Sequence, residues 1–515
     1  MRCVIFGATG YLGARLAPAL LAAGHEVRVM ARTPAKLDDV PWRQQVDVVD
    51  GDVTDRERVR GALEGQQVLY YLVHSLLRSD FVDFDARAAS IVADAAGQAG
   101  LSRIVYVGGI IPDQQELSDH LASREEVGRL LGKSKVPTVE LRAAAIIGAG
   151  SASFEMLRYL TERLPLMVTP RWLRTRVQPI AVRDVLYYLT NAAELPAEVS
   201  RTFDIGGPDT FTYTEMIRKY AAIAGLVRRV AIPVPVLTPW LSSHWVNLIT
   251  PLPRVLATSL MDSLENDVVC AEHDIGEHIP DPPGGLTHYE EAVELALARL
   301  RAGELQTRWS RRGDDDAPSR PLPTDPAWAG GSLKEHVWER RLDADAETLW
   351  QAFEALGTVH GWSAAPLAWV LRGWMGRLGG AAKVHRRPPH PHRLHAGEAL
   401  DWWRVEHVQR PHLLRLRADI ALPGRLWLEL SAHDDGDGRS SFRQTTLFAP
   451  HGLAGEALWA ASGPVRDALL GGIARDITSA VQRRAGAAVF SEVRSDGERH
   501  QGAAAAFHRV PARSR

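Results

Sequence analysis

The chain begins Met1-Arg2-Cys3-Val4-Ile5-Phe6-Gly7-Ala8-Thr9-Gly10-Tyr11-Leu12-Gly13. The apolar run Cys3 to Phe6 reads as a buried strand, and the glycines after it punctuate a turn that opens a helix. A helix N-terminus reached through such a turn aims backbone N–H groups and the positive end of the helix dipole at one spot, which suits a pyrophosphate. Gly7 permits the turn, Gly10 lets the backbone approach the phosphates, and Gly13 lets the helix pack closely on the strand. The expectation is a dinucleotide cradle made of Gly7, Ala8, Thr9, Gly10, Tyr11, Leu12 and Gly13. Tight helix packing alone would use the same glycines.

Strand and helix signals alternate outward from this point, as a doubly wound sheet requires. Apolar runs at Val27 to Met30, Val46 to Val49, Val68 to Val73, Arg103 to Val107 and Thr138 to Arg142 are separated by helical segments such as Arg56 to Leu63 and Ala86 to Ala99. Arg32 stands at the end of the second strand, where a fold reading NAD carries an acid for the ribose hydroxyls. A guanidinium there grips a 2′-phosphate, so NADP(H) is expected, with NAD(H) left open. Asp52 and Val53 follow the third strand, where a short acid accepts from the adenine amino group, and Leu72 and His74 end the fourth strand beside the adenosine.

At 515 residues the chain exceeds one hydrophobic core. Its 60 basic and 62 acidic residues leave no electrostatic footprint for nucleic acid. The two cysteines, Cys3 and Cys270, encode neither a disulfide framework nor a zinc site, and with the first strand at residue 2 the reading is a cytoplasmic protein without a signal peptide. Residues 230 to 253 contain no formal charge, but Pro233, Pro235, Pro239, Pro251 and Pro253 break the ladder a spanning helix needs. A greasy lid over a pocket, or peripheral membrane contact through 230–262, both fit, and no transmembrane span is expected.

With these residues assembled, the region from Met1 to about Leu305 resembles the atypical, extended branch of the short-chain dehydrogenase/reductases, in particular NmrA-like members and those like the complex-I 39-kDa subunit. Val177-Gln178-Pro179-Ile180-Ala181-Val182-Arg183-Asp184-Val185 and Phe203-Asp204-Ile205-Gly206-Gly207-Pro208 carry the likeness further. The superfamily supplies a Tyr and, four residues on, a Lys; the matching segment Ser118 to Glu125 has His120 and Arg124 instead. The fifth strand ends Gly108-Gly109, without the usual hydroxyl. Three readings follow from that departure. His120 is the general acid with Arg124 on the ribose; or hydride transfer needs no side-chain acid; or the site binds NADP(H) without turnover, as a sensor or scaffold.

From Ser310 to Ser332 charge blocks, spaced prolines and Gly330-Gly331 read as a linker. Beyond it come a strand from Lys334, a helix from about Ala344, alternating strands through Leu414 to Phe448 and a long helix from about Leu453 to Arg484. Its Leu453, Leu458, Val465, Leu469 and Ile473 recur at near-helical spacing, facing the sheet across an expected apolar cavity. That order resembles the helix-grip fold of START and polyketide-cyclase-like proteins, which implies an apolar ligand between helix and sheet. The tandem, with Tyr71-Leu72-Val73-His74-Ser75 and Asp401-Trp402-Trp403-Arg404-Val405 as local signatures, resembles a bacterial two-domain family without an assigned reaction.

Trp362, Trp369, Trp374, Trp402, Trp403 and Trp427 either pack the core or line that pocket. His385, His390, His392 and His395 lack a neighbouring carboxylate or thiol, so no metal is expected. The fold class is therefore an α/β doubly wound Rossmann domain followed by an α+β helix-grip domain: residues 1–306, linker 307–332, 333–490, and a disordered tail 491–515. The expected activity is that of an NADP(H)-binding oxidoreductase on a small lipophilic substrate such as a quinone, isoprenoid or polyketide. The alternative is a non-catalytic NADP(H) sensor or scaffold whose C-terminal domain holds a hydrophobic ligand.

Because a charge-assisted pair contributes about 1.5 to 3 kcal/mol, Arg32→Asp should reduce or invert a preference for NADPH over NADH by at least about tenfold. Calorimetric titration with both cofactors reads this, and equal affinities in the parent chain would remove Arg32 from cofactor selection.

Overall fold

The computed structural model describes residues 1–112, 117–169, 171–233, 249–263, 266–305, 322–326, 328–329, 334–355, 394–400, 403–420, 422–450, 452–464, 466–468 and 471–483. The chain divides into two compact units, Met1–Gly331 and Ser332–Arg515.

In the first unit, β1 (Arg2–Phe6), β2 (Glu26–Ala31), β3 (Asp47–Asp50), β4 (Val68–Tyr71), β5 (Arg103–Gly109), β6 (Thr138–Ala143) and β7 (Thr202–Ile205) form a seven-stranded sheet of order β7-β6-β5-β4-β1-β2-β3. Every pairing in it is parallel. β1 and β4 lie at the centre with Cys3 to Phe6 and Val68 to Tyr71 fully buried, because helices cover both faces of a parallel sheet. The helices are α1 (Tyr11–Ala22), α2 (Arg56–Leu63), α3 (Phe81–Ala99), α4 (Asp119–Gly132), α5 (Ala152–Arg163), α6 (Val182–Ala192), α7 (Tyr213–Ile223), α8 (Arg254–Ser263) and α9 (Tyr289–Leu305). After β3 the chain returns to the other side of β1 to make β4, so the strand order reverses between β1 and β4. Open sheets bind ligands at that reversal, outside the carboxyl ends of the strands.

Of the boundaries that differ from the sequence expectation, two bear on the site. β4 ends at Tyr71 rather than Val73, because the Leu72 carbonyl leaves the ladder to pass over the glycine turn. α3 starts at Phe81, five residues before the expected Ala86, because Phe84 and Asp85 already lie on its buried face and packing recruits the first turn.

Part of the segment read as linker is packed onto the first unit. Arg15 of α1 makes two hydrogen bonds to Asp325, Nη1 to Oδ1 at 2.9 Å and Nη2 to Oδ2 at 2.7 Å, with side chains only 2% and 7% exposed. Asp325 Oδ2 also accepts from the Leu322 backbone N–H, and the Trp328 carbonyl accepts from the Tyr159 hydroxyl of α5. Charged residues and prolines gave this stretch the composition of a linker; the buried partner Arg15 is what orders it.

The second unit contains β8 (Lys334–Leu342), α10 (Ala346–Glu354), β9 (Ala399–Leu400), β10 (Trp403–Gln409), β11 (Leu413–Ala418), β12 (Gly424–Gly436), β13 (Arg439–Pro450) and α11 (Gly452–Ala461). The strands make a six-stranded antiparallel sheet of order β8-β13-β12-β11-β10-β9. Leu349, Trp350 and Phe353 of α10 pack over it, and the Phe353 ring meets Phe442 of β13 at 5.5 Å between centroids. Helical residues 471–483 add Ile473, Ala474, Ile477 and Val481 to the same core, an arrangement consistent with a helix-grip-like domain.

The expected long terminal helix is not continuous over Leu453 to Arg484. Ser462 is a turn residue that interrupts it. Leu453 and Leu458 are consequently exposed, at 49% and 36%, and the sheet-facing stripe belongs to 471–483 instead. Val465 and Leu469 lie outside the described residues, as do Trp362, Trp369, Trp374, Asp401, Trp402, His385, His390, His392 and the tail 491–515. Arg415, expected on the opposite face from Leu414 and Leu416, is there, but buried against Glu429 at 2.6 Å. Among the described residues no helix is long and apolar enough to cross a membrane.

Removing one partner of a buried ion pair strands the other, so Asp325→Ala should lower the stability of the first unit by about 3 to 5 kcal/mol. Urea titration measures it, and Arg15→Met combined with Asp325→Ala should recover part of the loss. An unchanged midpoint in the single variant would show that the 322–329 segment does not hold the unit together.

Candidate functional site

The glycine turn at the end of β1 works by backbone-to-backbone contact. Gly7 has φ of +96°, and a Cβ there would lie 2.6 Å from the Leu72 carbonyl oxygen of the neighbouring β4 loop. A Cβ at Gly13 would lie 2.3 Å from the Gly7 carbonyl oxygen, which accepts the Gly10 N–H at 2.9 Å. Neither site admits a side chain. Gly10, the N-cap of α1, leaves the first turn without a side-chain cap, so these N–H groups stay available to an anion. Ala8 is fully buried, Gly10 is exposed, and Thr9, Tyr11 and Leu12 line the rim at intermediate burial. These residues fit a dinucleotide: the uncapped helix end offers donors, and the absence of Cβ atoms leaves room for the pyrophosphate.

Arg32, one residue past β2, is exposed and has its Nε 3.9 Å from Asp52 Oδ2. Asp52 Oδ1 accepts from the Thr54 N–H at 2.8 Å and its hydroxyl at 2.6 Å, so this carboxylate also fastens the loop after β3. Burial raises the Asp52 carboxyl, but the Thr54 hydrogen bonds, with the Arg32 and Arg78 guanidiniums, outweigh it and hold it below its ordinary range. Val53 is buried in the core beside β4. Leu72, half-buried, packs against the core that includes β1.

His74, two residues past the Leu72 carbonyl that covers Gly7, lies against His120. The two imidazoles are stacked, 5.2 Å between centroids and 25° between planes. His120 is on the first turn of α4, where Ser118 accepts from the Leu121 N–H as N-cap. On the other side His74 Nδ1 is 3.6 Å from Asp85 Oδ2 of α3, and the Ser75 hydroxyl donates to Asp85 Oδ1. Arg124, one turn after His120, extends over the Tyr106 ring at 5.6 Å, and its carbonyl accepts from the Tyr106 hydroxyl. Burial first, then the Arg124 charge, lowers His74 to about 4 despite Asp85. Burial, then His74 and Arg124, holds His120 well below the usual imidazole range.

The missing hydroxyl on β5 has a physical cause. A Cβ at Gly108 would lie 2.4 Å from Glu140 Oε1, a buried carboxylate held by Arg142 and the Thr202 hydroxyl. That space belongs to Glu140. Asp85 escaped the sequence reading, although an acid within the apolar stripe Phe81, Phe84, Ala88, Val92 of α3 is a signal that could have found it. Among the described residues no cluster of three metal-ligating side chains occurs, and His395 lies beside Glu398 at 3.4 Å. A separate recess of about 570 Å³ opens beside β7, lined by Gln178, Asp204, Gly207, His273 and Asp281, and shares no residue with the glycine turn or the histidine pair.

Sheet order, glycine turn and the crevice between β1 and β4 define an NAD(P)-binding Rossmann unit. More particularly, the first unit carries an NAD(P)H-binding domain, and the second matches a family of unknown function. Residues 7–144 match the family described as NAD(P)H-binding, and residues 328–472 match the family described as protein of unknown function (DUF2867). The chain is 26% identical over 251 residues to NADH dehydrogenase (ubiquinone) 1 alpha subcomplex subunit 9, mitochondrial, of Mus musculus, covering 47% of this chain and 65% of that protein. It is 28% identical over 301 residues to the ceramide reductase of Caulobacter vibrioides, covering 55% and 92%. The NADP(H) complex of Citrobacter sp. triphenylmethane reductase aligns at 20% identity with a TM-score of 0.47, covering 57% and 100%.

Gly13→Val should abolish NAD(P)H binding, because its Cβ would displace the Gly7 carbonyl and open the turn. Fluorescence titration with NADPH measures it, with circular dichroism confirming the fold; a variant that binds as the parent does would show that the cofactor does not sit in this cradle.

Proposed function

We propose that the first unit is an NADP(H)-dependent oxidoreductase that interconverts a carbonyl and an alcohol on a lipophilic substrate, with His120 exchanging the proton. The observation that carries this reading is a continuous line of contact. The Gly7 turn touches the Leu72 carbonyl, the same loop presents His74, and His74 stacks on His120. When bound, the reduced nicotinamide supplies a hydride to the carbonyl carbon. A ring nitrogen of protonated His120 passes its proton to the carbonyl oxygen, leaving neutral imidazole and the alcohol. Arg124, one turn further along α4, offers a fixed positive charge on the ribose side, in the role the resemblance gives to a lysine. Arg32 favours the 2′-phosphate of NADP(H).

The substrate class is supported by the Caulobacter vibrioides relative, named a ceramide reductase, and by the uncharged stretch 230 to 253. Beside that stretch Leu166, Val227 and Val230 are exposed, at 54%, 73% and 51%, which suits delivery of a substrate from a membrane surface through 230–262. In the second unit Ser440 and Thr446 share one face of β13 with Phe442, and their hydroxyls, like the Trp350 indole N–H, are buried without hydrogen-bond partners among the described residues. Polar points inside an apolar core support a ligand with a polar group there. The rival reading, an NADP(H) sensor or scaffold, draws its support from the absent Tyr and Lys pair.

The direction of the His120 displacement sets the pH dependence. An imidazole held below its ordinary range is neutral at pH 7, ready to accept a proton from an alcohol but rarely charged for donation. Carbonyl reduction should therefore accelerate as pH falls from 8 to 5, by up to about tenfold per unit, while alcohol oxidation is already at its plateau near neutrality. His120→Asn should lower turnover of a long-chain ketone by about a hundredfold or more, flatten that profile and leave NADPH affinity nearly intact. Steady-state kinetics checks it. Unchanged turnover would remove His120 from the chemistry, and no NADPH oxidation with any lipophilic ketone or quinone would favour the sensor.

A further inference from the structure

A second residue, His74, expected from the sequence beside the adenosine, also meets the proton-exchanging group. His74 comes from the loop after β4, not from α4, yet its ring covers one face of the His120 imidazole at 5.2 Å and 25°. Both of its ring nitrogens are buried and make no hydrogen bond. Ring nitrogens turned away from water, with only a carboxylate beyond hydrogen-bond distance to answer them, give up hydration they could have kept, which is unfavourable unless the position is held for another reason. Its Nδ1 faces the Asp85 carboxylate at 3.6 Å, and Asp85 is itself 3% exposed and fixed by the Ser75 hydroxyl. Asp85, His74 and His120 thus line up from α3 through the β4 loop to α4.

We propose that His74 is the positioning residue of His120: held beside Asp85, it backs the His120 ring face to face and competes with it for a single proton. This rests on the reading of His120 as the proton-exchanging group. Two imidazolium rings in that stack, with the Arg124 guanidinium nearby, would repel in a poorly hydrated place, so the pair accepts one proton at a time. Asp85 draws that proton toward His74. His120 is thereby kept neutral and oriented until a substrate oxygen arrives. Among the described residues, Tyr71 of β4, Tyr106 of β5 and Arg78 of the loop before α3 also act on Asp85 or Arg124; burial holds both phenols protonated. Asp85 and Arg124 are the charges among the described residues that act on the two rings.

The test uses the full chain without cofactor, carrying ¹³C-labelled histidine, with the ring resonances assigned by His74→Asn and His120→Asn. NMR titration should show the His120 midpoint moving to higher pH by roughly one unit in His74→Asn, since the competing charge is gone. Asp85→Asn should instead move the His74 midpoint to lower pH, and it leaves both rings in place should His74→Asn fold poorly. A His120 midpoint unmoved in a folded His74→Asn, or a His74 midpoint that does not fall in Asp85→Asn, overturns the proposal. In kinetics, His74→Asn should shift the fall of carbonyl reduction with rising pH toward higher pH by the same amount; a loosened fold that hydrates His120 would move it the same way, so the fall of the His74 midpoint in Asp85→Asn, which keeps both rings in place, separates the two. If the midpoints respond while no substrate is turned over, the pairing stands and the oxidoreductase reading falls. If turnover depends on His120 but its midpoint ignores His74, the pairing alone falls.

Discussion

Everything that meets at the cofactor crevice depends on three segments of backbone touching without side chains between them. The Gly7 carbonyl lies where a Cβ of residue 13 would be, and the Leu72 carbonyl lies where a Cβ of residue 7 would be. Because α1, the end of β1 and the loop after β4 are in direct contact, the helix end is rigidly aimed and the β4 loop is forced out of the sheet. That second consequence matters as much as the first. A β4 loop leaving the ladder at Leu72 swings His74 across to α4, so one steric fact builds both the anion cradle and the histidine stack.

The departure from a Tyr and Lys pair is a change of physical regime as well as of residue type. A tyrosine hydroxyl needs a nearby cation to lose its proton near neutral pH, whereas an imidazole titrates there unaided. Here burial and two neighbouring cationic positions push His120 in the opposite direction, toward the neutral form. The site therefore spends its electrostatics on suppressing charge. Arg124 acts in such an arrangement as a brake on protonation of both imidazoles. Glu140 occupies the space that a side chain at position 108 of β5 would need.

The first unit is also fastened from outside the Rossmann core. Asp325 reaches Arg15 on the helix whose first turn forms the cradle, and Trp328 receives the Tyr159 hydroxyl. A charged pair with almost no exposure is a weak source of net stability but a strong source of specificity in position, since either partner alone would be stranded. The orientation of α1 is accordingly fixed over its first two turns, by glycine contacts at its start and by an ion pair one turn later. In the second unit the core is ordinary by comparison, an antiparallel sheet closed by α10 and by helical residues 471–483 through aromatic and aliphatic contacts.

How much of this was legible without coordinates follows from the range of the forces involved. The apolar run Cys3 to Phe6, the glycine spacing and the period-two strands Leu413–Ala418 and Gly424–Gly436 are local patterns, each set by neighbours within a few positions, and they carry the fold class and the cradle. His120 and Arg124 were visible as departures from a familiar spacing. The stack of His74 on His120, the buried Asp85 behind it, the Glu140 carboxylate in the space above Gly108 and the Asp325 latch join residues far apart in the chain. No periodicity encodes such contacts. Leu453 and Leu458 show the converse, a helical stripe that the turn at Ser462 leaves facing solvent. The sequence by itself determined which elements form and where an anion is welcome, because propensity and hydrophobic period act locally. Only the tertiary structure decided which polar groups are taken out of water together, because desolvation and charge coupling depend on what packs against what, and that is settled when the sheet closes.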